Sequence, residues 1–330
     1  MLADHLERTG QKAEILPVPP GHWRVRYALP PDPPLVSLII PTRNCAALLR
    51  TCIGSLLGKT TYPNFEIIIV DNGSDAADAL AYFEELRGRG VKILRDDGPF
   101  NFSALNNRAA RQASGQVLGF LNNDIEVIAS DWLGEMVSHA IRPGVAAVGS
   151  MLYYPNDFVQ HAGVVLGIAG PRIQCGVAGH AMKGAPRGAT GSLNHLRLVK
   201  NYSAVTGACM VVRREIFEQL GGFNETSFAV AYNDVDFCLR ARAAGFRNVW
   251  TPFAELYHHE SASRGYENTP EKAARYEREF AHMRAKWAAV LDDDPAYNPN
   301  LTLVYEDFVV AWPPRPVAPA RRSERFRHPA

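Results

Sequence analysis

The stretch Gln116-Val-Leu-Gly-Phe-Leu-Asn-Asn-Asp-Ile-Glu-Val127 decides the reading of this chain. Gln116 to Leu121 is a short, mainly apolar run of the kind that forms a buried strand, and it breaks abruptly into Asn122, Asn123 and Asp124 before hydrophobicity resumes at Ile125. In an open α/β sheet, ligands bind outside the carboxyl ends of the strands, where the loops diverge and leave a crevice. A carboxylate and two amides at that position can hold a hard cation and its anionic ligand. Taken alone, the same residues also suit an Asx turn that merely ends a strand.

The segments on either side decide between the two. Leu35 to Ile40 reads as a strand closed by Pro41, and Ala46 to Leu57 carries helical apolar spacing. Glu66 to Val70 reads as a central parallel strand ending in Asp71-Asn72-Gly73-Ser74-Asp75, a second polar loop at a strand end. A helix over 76–86, a strand over 91–94 and a helix over 103–113, with Ser103 as its cap, complete a βαβαβαβ alternation. That order implies an α/β fold with a right-handed, mostly parallel sheet flanked by helices.

Beyond Asp124 the spacing predicts a helix over 131–141 and a strand over 145–149. From Met151 glycine increases and the period is lost. Hairpins and a mobile loop are expected over 163–191, and 178–201 receives no assignment. A strand over 208–212 and a helix over 214–220 follow. Next come a helix capped by Asn233 and stopped by Gly245, and two short strands over 249–252 and 254–257. Thr269-Pro270-Glu271 starts a helix whose face of Tyr276, Phe280, Met283, Trp287 and Leu291 packs on the sheet. Met1 to Pro34, with its cluster of prolines at 30–34, reads as an extended lead bordering a core that starts at Leu35. The arginine- and proline-rich tail from Pro313 reads as disordered and solvated, with contact to anionic lipid as the weaker alternative.

A chain of 330 residues with 47% hydrophobic content buries a large core, and a net charge of +1 leaves no electrostatic footprint for nucleic acid. No basic-then-apolar leader and no run of about 18 apolar residues is present, so the expected location is cytoplasmic. Five cysteines without a C-x-x-C pair point to buried thiols rather than to disulfides or a zinc site. Neither a G-x-G-x-x-G nor a Walker-type phosphate loop occurs.

The ordered set of Pro41-Thr-Arg-Asn44, Val70-Asp-Asn-Gly-Ser74, Asn107 ahead of Gly115, Asn122-Asn-Asp124, Gly221-Gly-Phe-Asn-Glu225, Asn233-Asp-Val-Asp236 and Tyr257-His-His-Glu260 resembles family 2 glycosyltransferases. More narrowly, it is similar to the glycosyltransferase domains of bacterial O-antigen and rhamnan-type polysaccharide biosynthesis, from about His22 to Phe308. The resemblance implies a glycosyltransferase A-type fold and inversion in one displacement. It divides the chain into a lead (1–34), a nucleotide-sugar half (35–149), an acceptor and catalytic half (150–268), a helical extension (269–312) and the tail (313–330). It also implies that Pro41, Thr42, Arg43, Asp71 and Asn107 face the donor nucleotide, along with Asn122, Asn123 and Asp124. Asp124 and His258 would bind Mn²⁺ or Mg²⁺, with His259 as the fallback, and Asp234 would be the general base. Asp236 reads as a helix cap.

The implied donor is a nucleoside-diphosphate sugar, UDP- or dTDP-linked ahead of GDP-linked, carrying rhamnose or another hexose. The implied acceptor is a growing glycan or lipid-linked glycan. Peripheral attachment at the inner face of the cell membrane and other polysaccharide-assembly enzymes as partners belong to the same expectation. Asn122 and Asn123 depart from the family's D-x-D motif by replacing carboxylates with amides. The rival readings are a sugar nucleotidyltransferase and a non-catalytic glycan-binding module of the same fold.

Overall fold

The computed structural model describes residues 1–168, 176–259 and 269–315. The expectations for Glu260 and for most of the tail lie outside them. The chain opens with helix α1 (Leu2–Arg8) and a hairpin of β1 (Ala13–Val18) and β2 (His22–Tyr27). The alternating unit follows as β3 (Val36–Thr42), α2 (Ala46–Lys59), β4 (Phe65–Asp71), α3 (Ala77–Gly88), β5 (Lys92–Arg95), α4 (Phe102–Gln112) and β6 (Val117–Leu121). After it come β7 (Ile125–Val127), α5 (Trp132–Ala140), β8 (Val145–Tyr153) and the short strands β9 (Val159–His161), β10 (Val164–Leu166), β11 (Ala178–His180) and β12 (Lys200–Tyr202). The chain continues through β13 (Cys209–Arg213), α6 (Arg214–Gln219), α7 (Asn233–Ala243), β14 (Arg247–His258) and α8 (Pro270–Asp292).

A ten-stranded sheet runs β12-β14-β8-β13-β6-β3-β4-β5, with β7 and β9 beside it. It is parallel through β6, β3, β4 and β5, and β13 enters antiparallel between β6 and β8. Both faces are covered. In β3, Val36, Leu38 and Ile40 pack with α2, α3 and α5, while Ile39 faces the cluster built from α4, α6, α7 and α8. A strand buried on both faces must be apolar at every position, which is why these segments show no alternation. Gly115 lies where α4 turns into β6: a Cβ there would stand 2.5 Å from the Leu35 carbonyl oxygen, so only glycine lets the backbones approach.

Four local expectations are corrected. The first 34 residues are not simply an extended lead, because α1 and the hairpin are ordered and the hairpin docks on α5. The cap of α4 is Asn101, whose side chain accepts from the Ala104 N–H, not Ser103, whose hydroxyl donates to the Phe228 carbonyl. Asn233 is the first helical residue of α7 rather than its cap, and Tyr232 before it is left-handed, with φ 61°. The two short strands near the C-terminal end of the sheet are one, β14, whose register against β8 shifts between Trp250 and Glu255. Pro252, which lacks an N–H, sits inside that shift.

Candidate active site

Because β6, β3 and β4 are neighbours, the three polar loops after them meet along one edge. Asn44 stitches two of them together. Its backbone N–H donates to Ser74 Oγ at 2.7 Å, and its Oδ1 accepts from the N–H groups of Asp75 and Ala76, each at 3.0 Å. This places Asn44 and Cys45 in left-handed backbone, with φ 53° and 56°, a region that asparagine tolerates better than most residues. Beside this junction lies a cavity of about 390 Å³ lined by Pro41, Thr42, Arg43, Phe100, Asn122 and Asn123, among others. Its size and its mixture of aromatic and polar walls suit a nucleoside.

Asp71 is buried at the end of β4, where Oδ1 accepts from the Ser74 N–H at 2.9 Å and Oδ2 from Arg95 Nη1 at 2.6 Å. Arg95 was not picked out from the sequence. It ends β5, the neighbour of β4, so only the strand order reveals its place.

The strand-end triplet is held from two sides. Asn123 Nδ2 donates to Thr42 Oγ1 at 2.9 Å, and the Asn122 backbone N–H donates to the Ala208 carbonyl at 3.0 Å. The Asn123 side-chain amide therefore donates, which a carboxylate cannot do. Asp124 is buried, and its Oδ1 lies 3.2 Å from His258 Nε2. His258 Nδ1 donates to Gln160 Oε1 at 2.8 Å, which fixes the proton on Nδ1 and leaves the Nε2 lone pair directed at Asn122 Nδ2, 3.1 Å away, and at Asp124. His259, next along the strand, turns its ring to Glu126 and gives only its backbone N–H to the Asp124 carbonyl. Alternation along an extended strand separates the two histidines, and His258 is the one beside Asp124.

A carboxylate oxygen and an imidazole lone pair converging at this separation form a donor set that suits Mn²⁺ or Mg²⁺. Among the described residues no cluster of three or more His, Cys, Asp or Glu could hold a metal ion. Other ligands to such a cation would have to come from substrate and water. Gln160 was missed in the sequence because it lies in a glycine-rich region with no periodic signal.

Asp234 stands in the first turn of α7. Its Oδ2 accepts from the Gly207 N–H at 2.7 Å and its Oδ1 from the Val235 N–H at 2.8 Å. Gly207 precedes Ala208, whose carbonyl holds Asn122, so the base candidate and the strand-end triplet hang on consecutive residues. Burial raises the Asp234 carboxyl above its ordinary value, against the opposing pull of the Gly207 and Val235 N–H groups.

Two expectations change here. Asp236 is not a simple cap: it is fully buried and receives Arg240, Lys286 Nζ at 2.7 Å and Trp287 Nε1 at 3.0 Å, which ties α7 to α8. Asn107 is joined to none of the other site residues by a hydrogen bond. Its amide donates to the Phe223 carbonyl and to Glu225 Oε2, and its Oδ1 accepts from the Phe223 N–H, so it braces the Gly221–Glu225 turn rather than presenting its polar groups to a nucleotide.

Comparison with known proteins gives the scaffold its family. The family model described as glycosyl transferase family 2 matches residues 37–221. An uncharacterized protein, y4gI, of Sinorhizobium fredii is 51% identical over 315 residues, covering 94% of this chain and 34% of that protein. The O-antigen biosynthesis protein RfbC of Myxococcus xanthus is 44% identical over 307 residues, covering 93% of this chain and 23% of that protein. The chain thus spans about a third and a quarter of these relatives. A mannosyltransferase from Pyrobaculum calidifontis, solved in complex with GDP-Man and Mn²⁺, shares the fold with a TM-score of 0.57 at 20% identity, over 81% of this chain and 72% of that one. Since the family model covers more than half of the sequence, the chain belongs to glycosyl transferase family 2, as an enzyme domain on a glycosyltransferase A-type scaffold.

Proposed function

We propose that this domain transfers a sugar, rhamnose or another hexose, from a nucleoside diphosphate to a growing cell-surface polysaccharide or lipid-linked glycan, inverting the anomeric centre. The observation that carries the reading is the convergence of Asp124 and His258, with Gln160 behind the imidazole. Similarity to a protein named for O-antigen biosynthesis supports the class of product, and a structural neighbour holding GDP-Man and Mn²⁺ supports a nucleotide sugar and a divalent ion.

The nucleoside occupies the cavity beside Thr42 and Arg43, and Phe100 offers a ring to the base. Asp71, next to Asn72 in the cavity wall, reads the base once Arg95 yields one carboxylate oxygen. Asp124 and His258 hold the cation, Mn²⁺ or Mg²⁺, which when bound neutralises charge on the leaving diphosphate. Asp234 takes the proton of the acceptor hydroxyl as that oxygen bonds to the anomeric carbon. The bond from that carbon to the diphosphate breaks on the opposite face, which inverts the centre. A carboxyl raised by burial is a stronger base than an exposed one, which suits this role near neutral pH.

The test is a thermal-shift screen of UDP-, dTDP- and GDP-sugars with and without Mn²⁺, followed by assay of donor hydrolysis. One donor should raise the melting temperature only with the ion present, because a ligand bound to the folded state alone stabilises it, and the same donor should be slowly hydrolysed. Donor binding without any turnover would favour the non-catalytic module instead.

A further inference from the structure

The chain reaches α7 through residues 228–232, and side chains from three helices fix that approach. The Ser103 hydroxyl of α4 donates to the Phe228 carbonyl, and the Ser103 N–H donates to the Ala229 carbonyl at 3.1 Å. From α7, Asn233 Nδ2 donates back to the Val230 carbonyl at 2.7 Å. The N–H groups of Val230 and Ala231 both end on one carboxylate of α8: Glu279 Oε1 accepts the first at 2.9 Å and Oε2 the second at 2.8 Å. Glu279 is only 3% exposed, and the Arg275 guanidinium lies 3.8 Å from it.

Two neighbours of Glu279 on α8 meet the same approach. Tyr276 shares a hydroxyl–hydroxyl hydrogen bond with Tyr232 at 2.5 Å, and His282 meets the Phe228 ring edge-on, with centroids 6.4 Å apart. A spacing of three residues puts these side chains on one side of a helix. That side of α8 is therefore given to the segment that leads into α7. Successive N–H groups that converge form a concavity that binds an anion, and here the anion is Glu279. The turn comes at once: Tyr232 is left-handed, with φ 61°, and α7 starts at the next residue. A bulky residue keeps that conformation only where its surroundings impose it.

We infer that Glu279 is a positioning residue for sugar transfer. By holding Val230 and Ala231 it imposes the turn at Tyr232, and so sets where Asp234, two residues further on, meets the acceptor hydroxyl. It acts only through the start of α7. The inference rests on the reading of Asp234 as the base, and a measurement made without turnover separates the two.

The experiment compares the full chain with Glu279→Gln, which keeps the size of the side chain but offers one acceptor oxygen and turns an NH2 group toward the second N–H. Amide hydrogen exchange should quicken about tenfold or more at Val230, Ala231 and the first turn of α7, while donor affinity stays as it is. In transfer, kcat should fall by roughly 10- to 100-fold. The double variant with Asp234→Asn should be no slower than Asp234→Asn alone, because a residue that acts through the base then has nothing left to position. Glu279→Asp, which keeps both oxygens on a shorter arm, should lie between wild type and Glu279→Gln in exchange and in kcat, and it carries the same comparison if the amide variant does not fold. Glu135→Gln, which loosens the hairpin anchor, should leave the kcat of the folded protein unchanged. Exchange that stays at the wild-type rate in both Glu279 variants overturns the inference whatever Asp234 does. So does a loss of kcat that adds in full to that of Asp234→Asn, the mark of a structural role alone. Faster exchange, with Asp234→Asn still transferring at the wild-type rate, removes the base itself, and the positioning role falls with it.

Discussion

The imidazole of His258 joins two sites at once: its Nε2 stands 3.2 Å from Asp124 Oδ1, and its Nδ1 donates to Gln160 Oε1 at 2.8 Å. One nitrogen is oriented by a neutral amide so that the other can serve as a ligand.

Replacing Asp124 by Asn or His258 by Ala should therefore abolish the stabilisation that Mn²⁺ confers in the presence of donor. Gln160→Leu should leave both ligands in place but lose the bond that sets the tautomer, weakening ion-dependent donor binding by roughly 10- to 100-fold. Calorimetric titration of donor with and without Mn²⁺ measures both effects. Equal donor affinity in wild type and Asp124→Asn would remove the ion from the proposal.

Asp234→Asn should reduce transfer by about 10²- to 10⁴-fold while donor affinity changes little, because in the proposed reaction the carboxylate takes the acceptor's proton and makes no contact with the nucleotide. Burial raises this carboxyl, so the base is lost by protonation at higher pH than an exposed aspartate would be. The acid limb of kcat/KM should then lie above the ordinary aspartate value of about 3.9. A limb at or below that value would argue for a different base.

The strand ends were readable from the sequence because a parallel strand covered on both faces must be continuously apolar, and Asn122 to Asp124 interrupt such a run sharply. The alternation of strands and helices gave the parallel sheet, while the placement of β6 beside β3 is that of a doubly wound sheet. Other parts depend on contacts that no local pattern encodes. Gln160 acts through a ring almost a hundred residues away, and Arg95 reaches Asp71 only because β5 lies beside β4. The hairpin at the start shows the same limit. Its strands are only partly buried, and what holds them is Arg24 on Glu135 and Tyr27 against His139, partners on α5.

That hairpin anchor should be costly to break. Arg24 Nη2 donates to Glu135 Oε2 at 2.6 Å, and Thr251 donates to the other oxygen at 2.7 Å, so one buried carboxylate ties β2, α5 and β14 together. Desolvation alone would raise this carboxyl, but the bond and charge of His139, the charge of Arg24 and the Thr251 hydroxyl bring it down to about 2. A depressed carboxyl contributes stability that is present above the unfolded value of about 4.3 and disappears as pH falls toward 2, by about 3 kcal/mol in all. Glu135→Ala should cost roughly 3–5 kcal/mol at pH 7, since it strands Arg24 without its partner. Urea unfolding of both proteins at pH 7 and pH 3 checks this: the wild type should lose roughly 2 kcal/mol more than the variant between the two conditions, since part of the effect remains until pH 2.

At Lys200 it is the charged form that burial disfavours, and stability again rises with pH, in a higher window. Its Nζ donates to His195 Nδ1 and to the Tyr202 hydroxyl, each at 2.8 Å, and it lies 4.9, 5.4 and 5.7 Å from the rings of Tyr202, Trp250 and Phe308. No carboxylate pairs with it among the described residues, and burial lowers the amine to about 7. Between that value and the unfolded value of about 10.4, the unfolded chain holds a proton that the folded chain does not, so stability from this group rises with pH by up to about 1.4 kcal/mol per unit. Below pH 7 the fold carries the whole cost of a buried ammonium, offset in part by the three aromatic rings. Lys200→Met should therefore stabilise the protein by roughly 1–2 kcal/mol at pH 6.5, and the gain should shrink as pH approaches 10. Urea midpoints measured across that range decide the matter. A variant that is weaker by the same amount at every pH would mean that the rings bind the charged amine well enough to repay its burial.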